Sequence, residues 1–365
     1  MILREIRVRG WRNLVDEGLT LGQRVTVLFG RNGQGKSNLL EAAYYAITFR
    51  SFRTNSIGDL IGWGAEKAEV EAKLTVRGLD RTLRVEISVG RKRTTLDGKA
   101  VRRDSESLRG AGVVIFGPDD LRLPKSAAAE RRRAMDRAVF AVHRTYFREA
   151  IDFDRALKAR NGLLRRGEFS RELLESYDET LSRMGARMVV RRRDLVRELA
   201  PTVACVFAEI HGDLPARIRY RSDARVEAAQ NEREIEEALH AGLEDERGND
   251  QRRGFTGFGP QTDDLEMLLG DHPAREHGSQ GQIRSLVLAF KIAELRHAES
   301  QNGETPVLLL DDVASELDQE RRTRLFETIS AMACQTLITV TEREDLPDLP
   351  DRADWCVSGG HIEPA

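Results

Sequence analysis

The sequence predicts a split α/β nucleotide-binding domain with a helical lobe inserted in its middle. Three observations carry this reading. The apolar run RVTVLF at residues 24–29 leads into GRNGQGKS, which fits the phosphate-binding pattern G-x-x-x-x-G-K-[ST]. A second apolar run, VLLL at 307–310, ends far along the chain in Asp311-Asp312. Between them, residues 130–210 hold almost no Pro or Gly and repeat apolar side chains at helical spacing.

Each element follows from local pattern. Alternation from Ile2 to Val8 predicts a strand, 25–29 a second, and 38–47 a helix. Residues 69–76, 81–89 and 92–96 alternate at period two, with turn residues at Gly78, Gly90 and Asp97-Gly98, so they predict an antiparallel meander. A short strand at 113–116 stops at Gly117-Pro118. The central stretch predicts two or more long helices that turn back near Asn161-Gly162 and Gly167. With arms of about five turns each, it reads as a lobe rather than an extended coiled coil. Residues 240–262, rich in Gly, Asp and Arg, predict a loop. The last hundred or so residues return to α/β, with a helix at 282–299, a strand at 307–310, a helix at 319–333 and a strand at 335–340. The expected division is 1–124, 125–300 for the helical lobe, and 301–365. No internal repeat is evident.

Composition bounds the function. Of 365 residues, 40% are hydrophobic and 32% charged, and 58 basic residues face 60 acidic ones. A net charge of −2 implies that any basic surface is local. The N-terminal MILREIRVRG lacks a signal-peptide apolar core, and no run approaches the roughly 18 apolar residues of a membrane span. The expectation is a soluble cytoplasmic protein with no membrane partner. Cys205, Cys334 and Cys356 are widely spaced, contain no C-x-x-C pair, and read as three buried thiols.

The chemistry concentrates in three stretches. Successive N–H groups can converge on phosphate oxygens only through backbone angles that Gly30, Gly33 and Gly35 permit cheaply. The helix that follows turns its positive end to the same anion. Gly30, Arg31, Asn32, Gly33, Gln34, Gly35, Lys36, Ser37 and Asn38 are therefore the candidate ATP contacts, with Lys36 placed for the β/γ-phosphates and Ser37 for Mg²⁺. A buried strand ending in an acid brings a carboxylate to the sheet edge. Asp311 is the expected second metal-side residue, and Asp312 the candidate that polarises the attacking water. Ser279-Gln280-Gly281-Gln282 opens the helix ahead of the acidic strand; by itself it is as much a helix cap as an anion-binding end.

In order and spacing these motifs resemble those of ABC-type ATPases. Ser279, Gln280 and Gly281 stand at the signature position, and Ser315-Glu316-Leu317-Asp318 at the D-loop position. More narrowly, the chain resembles the RecF family, the short members of the SMC-like, ABC-type ATPases of DNA repair. The matching stretches are GRNGQGKSNLLEAAYY (30–45), FGPDDLRL (116–123), ERRRAMD (130–136), GFGPQTDDL (257–265), SQGQIRSLVLAFKIAE (279–294) and LLLDDVASELD (308–318). Trp11-Arg12-Asn13 stands where this class has an aromatic-basic pair, which adds Arg12, Asn13 and Asp318 to the nucleotide contacts. The resemblance implies an ABC-type ATPase head, a mixed sheet plus the antiparallel meander with the helical lobe inserted.

It also implies function. Lys36 and Ser37 of one copy and Ser279 to Gly281 of a second would grip one ATP, so ATP would make a head-to-tail homodimer and slow, DNA-stimulated hydrolysis would loosen it. The implied partners are double-stranded DNA and gap junctions, with RecR and RecO in recombinase loading. Candidate DNA contacts are Arg91-Lys92-Arg93, Arg102-Arg103, Arg131-Arg132-Arg133, Arg165-Arg166 and Arg191-Arg192-Arg193, each of which also reads as a solvated helix face. Two departures stand out. Gln261-Thr262 replaces a His-Arg pair, and LITVTERED has no His at the γ-phosphate sensor position, leaving Thr339 or Thr341 for that duty. Two other readings remain open, an ATPase subunit of a membrane transporter and an ATP-gated DNA clamp without turnover.

Overall fold

The computed structural model describes residues 1–54, 56–101, 110–167, 170–211, 214–332, 334–346, 349 and 351–365. The chain forms two compact units, one of Met1–Leu121 with Lys291–Ala365 and one of Arg122–Phe290.

The first unit holds β1 (Ile2–Arg9), β2 (Glu17–Thr20), β3 (Val25–Phe29), α1 (Lys36–Thr48), β4 (Lys67–Val76), β5 (Leu79–Ser88), β6 (Arg91–Leu96), β7 (Lys99–Ala100) and β8 (Val113–Phe116). The second holds α2 (Ala128–Val142), α3 (Tyr146–Arg166), α4 (Arg171–His211), β9 (Ala216–Arg221), α5 (Ala224–Ala228), α6 (Glu232–Arg253), β10 (Asp264–Leu269), β11 (His272–Pro273) and α7 (Ala274–His277). Helix α8 (Gln280–Asn302) begins in the second unit and continues into the first. The first unit then closes with β12 (Val307–Asp311), α9 (Val313–Glu316), α10 (Gln319–Met332), β13 (Thr336–Val340), β14 (Arg352–Ser358) and β15 (His361–Pro364).

Two six-stranded sheets sandwich α1 in the first unit. One is antiparallel, in the order β2-β1-β4-β5-β6-β7; the other is mixed, in the order β15-β14-β3-β13-β12-β8. The pattern of side chains explains the difference. Strands β4 and β5 alternate because one face is covered and the other wet, whereas β3 (VTVLF), β12 (VLLLD) and β13 (TLITV) are apolar almost throughout because parallel strands are covered on both faces. Helix α1 is buried from Leu39 through Thr48, as a helix lying between two layers must be. Its Leu39, Leu40, Tyr45 and Ile47 join Leu3, Ile6, Val70 and Val85 in one core. The Arg77-Gly78 and Asp97-Gly98 turns have positive φ at both residues, the geometry that matches strand twist in two-residue hairpins. Gln335, buried among apolar neighbours, ties the sheets together. It accepts from Leu3 N–H at 2.7 Å and donates to the carbonyls of Leu3 at 2.7 Å and Gly22 at 2.8 Å.

In the second unit, α3, α4 and α6 pack around buried ion pairs, and β11-β10-β9 form a small antiparallel sheet. Arg160, fully buried, donates to Asp178, Asp250 and the hydroxyl of Thr256, each at 2.7 Å. Arg192 forks onto Asp136 at 2.8 and 3.0 Å and caps the Pro260 carbonyl at 2.7 Å.

Four expectations are corrected here. Residues 240–253 are the second half of α6, not loop: Gly242 sits in the helix because the Phe258 ring fills the place of its side chain, at 2.2 Å from where a Cβ would be. Asn161-Gly162 does not turn the chain. It lies inside α3, where Asn161 Oδ1 accepts from Thr256 N–H and Oγ at 2.7 Å. Helix α4 runs 41 residues through Pro201, well beyond about five turns. Of the thiols, Cys334 is buried, Cys356 partly so, and Cys205 is exposed.

Candidate functional site

The glycine loop leaves β3 at Gly30 and enters α1 at Lys36. Its shape requires positive φ at Gly30 (146°), Gly33 (80°) and Gly35 (118°). Space is also exhausted at two of these. A Cβ on Gly30 would lie 2.3 Å from the Val357 carbonyl oxygen, and one on Gly35 would lie 2.6 Å from Leu14 Cδ2, whereas Gly33 faces open space. The C-terminal hairpin holds the loop from the side. Gly360 N–H donates to the Gln34 carbonyl at 3.1 Å, and Gly359 N–H to Gln34 Oε1 at 2.6 Å. Arg31 and Asn32 are exposed beside Gly33.

The Lys36 side chain folds back over this loop, donating to the carbonyls of Gly30 and, at 3.1 Å, Arg31. Burial pulls its ammonium below the usual lysine range, and the charges of Asp312 and Asp311 oppose that pull. Ser37 Oγ donates to Asp311 Oδ1 at 2.6 Å, which joins the start of α1 to the end of β12. Thr339, fully buried in β13, donates to the same Oδ1 at 3.0 Å and accepts the Asp312 N–H at 2.8 Å. Asp312 takes a left-handed conformation (φ 52°) just before α9, so the chain leaves the sheet edge directly after Asp311.

Arg12 and Asn13 reach the loop from the turn after β1. Arg12 forks onto Glu41 of α1 at 2.7 and 2.9 Å, and Glu41 is fully buried. Asn13 Nδ2 donates to the Gly33 carbonyl at 3.2 Å and its Oδ1 accepts from Asn38 Nδ2 at 2.6 Å; Arg53 donates to Asn38 Oδ1 at 2.6 Å. Trp11 Nε1 donates to the Asn38 carbonyl at 3.0 Å. Arg12, Asn13, the glycine loop, Asn38, Asp311 and Asp312 thus share one neighbourhood of the first unit. Sequence reasoning missed Glu41, whose signal was a lone acid in the apolar run LLEAAYY. It left Thr339 or Thr341 as the γ-phosphate sensor; of these, the Thr339 hydroxyl bonds Asp311 and Asp312.

The remaining motifs make local bonds of their own. Ser279 and Gln282 form a reciprocal cap at the start of α8. Ser279 N–H donates to Gln282 Oε1 at 2.9 Å, and Gln282 N–H to Ser279 Oγ at 3.2 Å. Ser279 and Gln280 are exposed, and Gly281 is half-buried. Asp318 caps α10 by accepting Arg321 N–H at 3.0 Å. The side chain of Ser315 lies outside the described residues, as do Arg102 and Arg103. Gln261 and Thr262 close their own turn, Gln261 Nε2 on the Phe258 carbonyl at 2.8 Å and Thr262 Oγ on that of Gly259 at 2.7 Å.

A glycine loop braced by an acidic strand end, on a mixed sheet backed by an antiparallel one, defines a head of the SMC-like ABC ATPase class. A family profile for the RecF/RecN/SMC N-terminal domain matches residues 2–351. The DNA replication and repair protein RecF of Anaeromyxobacter dehalogenans (strain 2CP-C) is 41% identical over 371 residues, spanning 100% of this chain and 99% of that protein. A solved structure of the recombination mediator protein RecF with ATP, in the RecFOR pathway, superposes with a TM-score of 0.90 at 30% identity, covering 100% of this chain and 97% of the other. An SMC head bound to the C-terminal winged-helix domain of ScpA is similar in fold alone, at a TM-score of 0.57 and 15% identity over 100% of this chain and 97% of that one. The chain belongs to the RecF family.

Proposed function

We propose that this chain is an ATP-dependent DNA-binding ATPase of recombinational repair, in which ATP joins two copies head to tail and hydrolysis releases them. The observation that supports the proposal best is the 2.6 Å bond between Ser37 and Asp311, which joins the helix after the glycine loop to the acidic end of β12 within one unit. Two hard oxygen donors at a sheet edge, beside backbone N–H groups and a lysine, fit Mg²⁺, which takes one or two protein oxygens and leaves its other positions to phosphate and water. When bound, the ion would neutralise phosphate charge. The Gly30–Gly35 amides would cradle the phosphates, with Lys36 exchanging its loop carbonyls for phosphate oxygens. Arg12, oriented by Glu41, and Asn13 with Asn38 would flank the nucleotide, and Asp312 would polarise water.

In this reading Ser279, Gln280 and Gly281 of a second copy, with its Asp318, complete the site. The exposure of Ser279 and Gln280 supports that role, because a second copy can reach this helix start, where the dipole favours an anion. A ligand that binds the pair better than the single chain shifts the equilibrium by its differential affinity, so ATP gates assembly and ADP holds it poorly. The partners we assign are duplex DNA and gap junctions, with RecR and RecO in loading recombinase, in the cytoplasm. The full-length likeness to RecF proteins gives a transporter subunit no support, and no helix among the described residues is long and apolar enough to cross a membrane. Ser279→Arg tests the composite site. ATP affinity should stay near wild type while ATP-dependent dimerisation, read by light scattering, is lost; a dimer that persists in this variant would refute the arrangement.

A further inference from the structure

In three of the basic clusters some side chains are already committed inside the fold, although Arg91 and Arg93 stay exposed. Arg131 forks onto Asp264 at 2.8 and 2.6 Å, Arg192 onto Asp136, and Arg193 donates to the carbonyls of Ala229 and Val226 at 2.7 Å. Lys92 reaches the Phe49 carbonyl and stacks over Tyr45. Arg165 and Arg166 are different. Both are exposed in the last turn of α3, and among the described residues neither has an ion-pair partner.

They do not stand alone. Helices α3 and α6 run in the same direction and end together, tied by Arg160 to Asp250 and by Asn161 to Thr256. Gly167 and Gly254 close the two helices in left-handed conformations. Arg165 Cγ lies 3.3 Å from where a Cβ on Gly254 would be, so the last turn of α3 touches the end of α6, which carries exposed Arg252 and Arg253. Phe255 follows, half its surface in water. The acids of this end are largely offset. Among the described residues, Glu175 pairs with Arg171 and Arg247 and Glu244 lies 3.9 Å from Arg171, while Glu172 stands in the first turn of α4 and Glu246 of α6 accepts from Asn249 Nδ2 at 2.8 Å. Cations at helix C-termini gain from the dipole, but that gain asks for neither four arginines on one knob nor an exposed aromatic among them.

We propose that this knob, Arg165, Arg166, Arg252 and Arg253 with Phe255, is a contact for the phosphate backbone of duplex DNA. The inference rests on the DNA-binding reading above and adds where the duplex is held. Guanidinium groups on two adjacent helix ends fit successive phosphates, and each phosphate neutralised adds a salt-dependent increment without reading sequence.

The test is the salt dependence of binding to a fluorescein-labelled duplex, with the full chain and Mg-ATP. With a slope of about −0.9 per phosphate contact, Arg165→Gln with Arg166→Gln should make log K against log salt shallower by about 2, with ATP-dependent dimerisation unchanged. Arg252→Gln with Arg253→Gln should act alike and guards against a folding defect in the first pair. Phe255→Ala should weaken binding at every salt concentration while leaving the slope as it is. If the wild type binds duplex with ATP and both arginine pairs keep its affinity and slope, the knob is not the contact. If the wild type shows no ATP-dependent duplex binding, the DNA reading itself falls, and this assignment with it.

Discussion

Thr339 Oγ lies 3.0 Å from Asp311 Oδ1 and accepts the Asp312 N–H at 2.8 Å, so one buried hydroxyl on β13 fixes both acids at the end of β12. The same carboxylate oxygen receives Ser37. A threonine in the middle of an apolar strand is thereby the brace of the acidic pair.

Thr339→Val keeps the shape and removes the brace. A buried carboxylate loses a donor and a partly buried N–H loses its acceptor, which costs about 1–3 kcal/mol of stability. Urea unfolding should show that loss, and Mg-ATP affinity should fall more than the affinity for metal-free nucleotide. Equal affinities in variant and wild type would detach Thr339 from the site.

Arg12 and Glu41 form a second brace, since the fully buried Glu41 takes both arms of the Arg12 guanidinium. Removing the cation leaves a buried charge short of partners, so Arg12→Met should destabilise the protein by about 3–5 kcal/mol. Adding Glu41→Gln should recover part of that. A double-mutant cycle by urea unfolding checks it, and strictly additive losses would mean the pair is not coupled.

Asp263 makes the stability of the second unit sensitive to pH. Burial raises its carboxyl from the ordinary 3.8 to about 6, while Tyr220, Arg192 and Arg132 pull the other way. A carboxyl raised in the fold binds its proton more tightly folded than unfolded. Its contribution is therefore full below about pH 4 and lost as pH rises through about 6, a change of about 3 kcal/mol. Asp263→Asn keeps an acceptor for the Tyr220 hydroxyl and should flatten the stability profile between those pH values, with a gain at neutral pH. A profile as steep as the wild type's would place the titration elsewhere.

The parts legible in the sequence were those where one residue type has one reason to be present. Gly30, Gly33 and Gly35 announce positive φ, and the structure has it at all three. The strands β3, β12 and β13 announce a covered parallel sheet, and the alternating β4 to β6 announce a meander. Legibility failed where tertiary partners redefine a residue. Gly242 and Gly248, set among charged residues, carry the composition of a loop, yet Phe258 packs on one and Asp250 anchors the same helix to Arg160. Asn161-Gly162 looks like a turn until Thr256 is known to be its partner. The strands β9 and β10 pair across more than forty intervening residues that no local pattern connects. At the site, Lys36, Ser37, Asp311 and Asp312 were all named from motifs, whereas Glu41 and the bracing role of Thr339 depend on contacts that only the folded chain supplies.

Sedimentation velocity of the purified chain without nucleotide, with Mg-ADP and with Mg-ATP tests the central claim most directly. The account predicts a single-chain species in the first two conditions and a dimer with Mg-ATP, because in the proposed arrangement only the triphosphate would reach the Ser279 cap of a second copy. The same distribution of species in all three conditions, whether monomer or dimer, would contradict it.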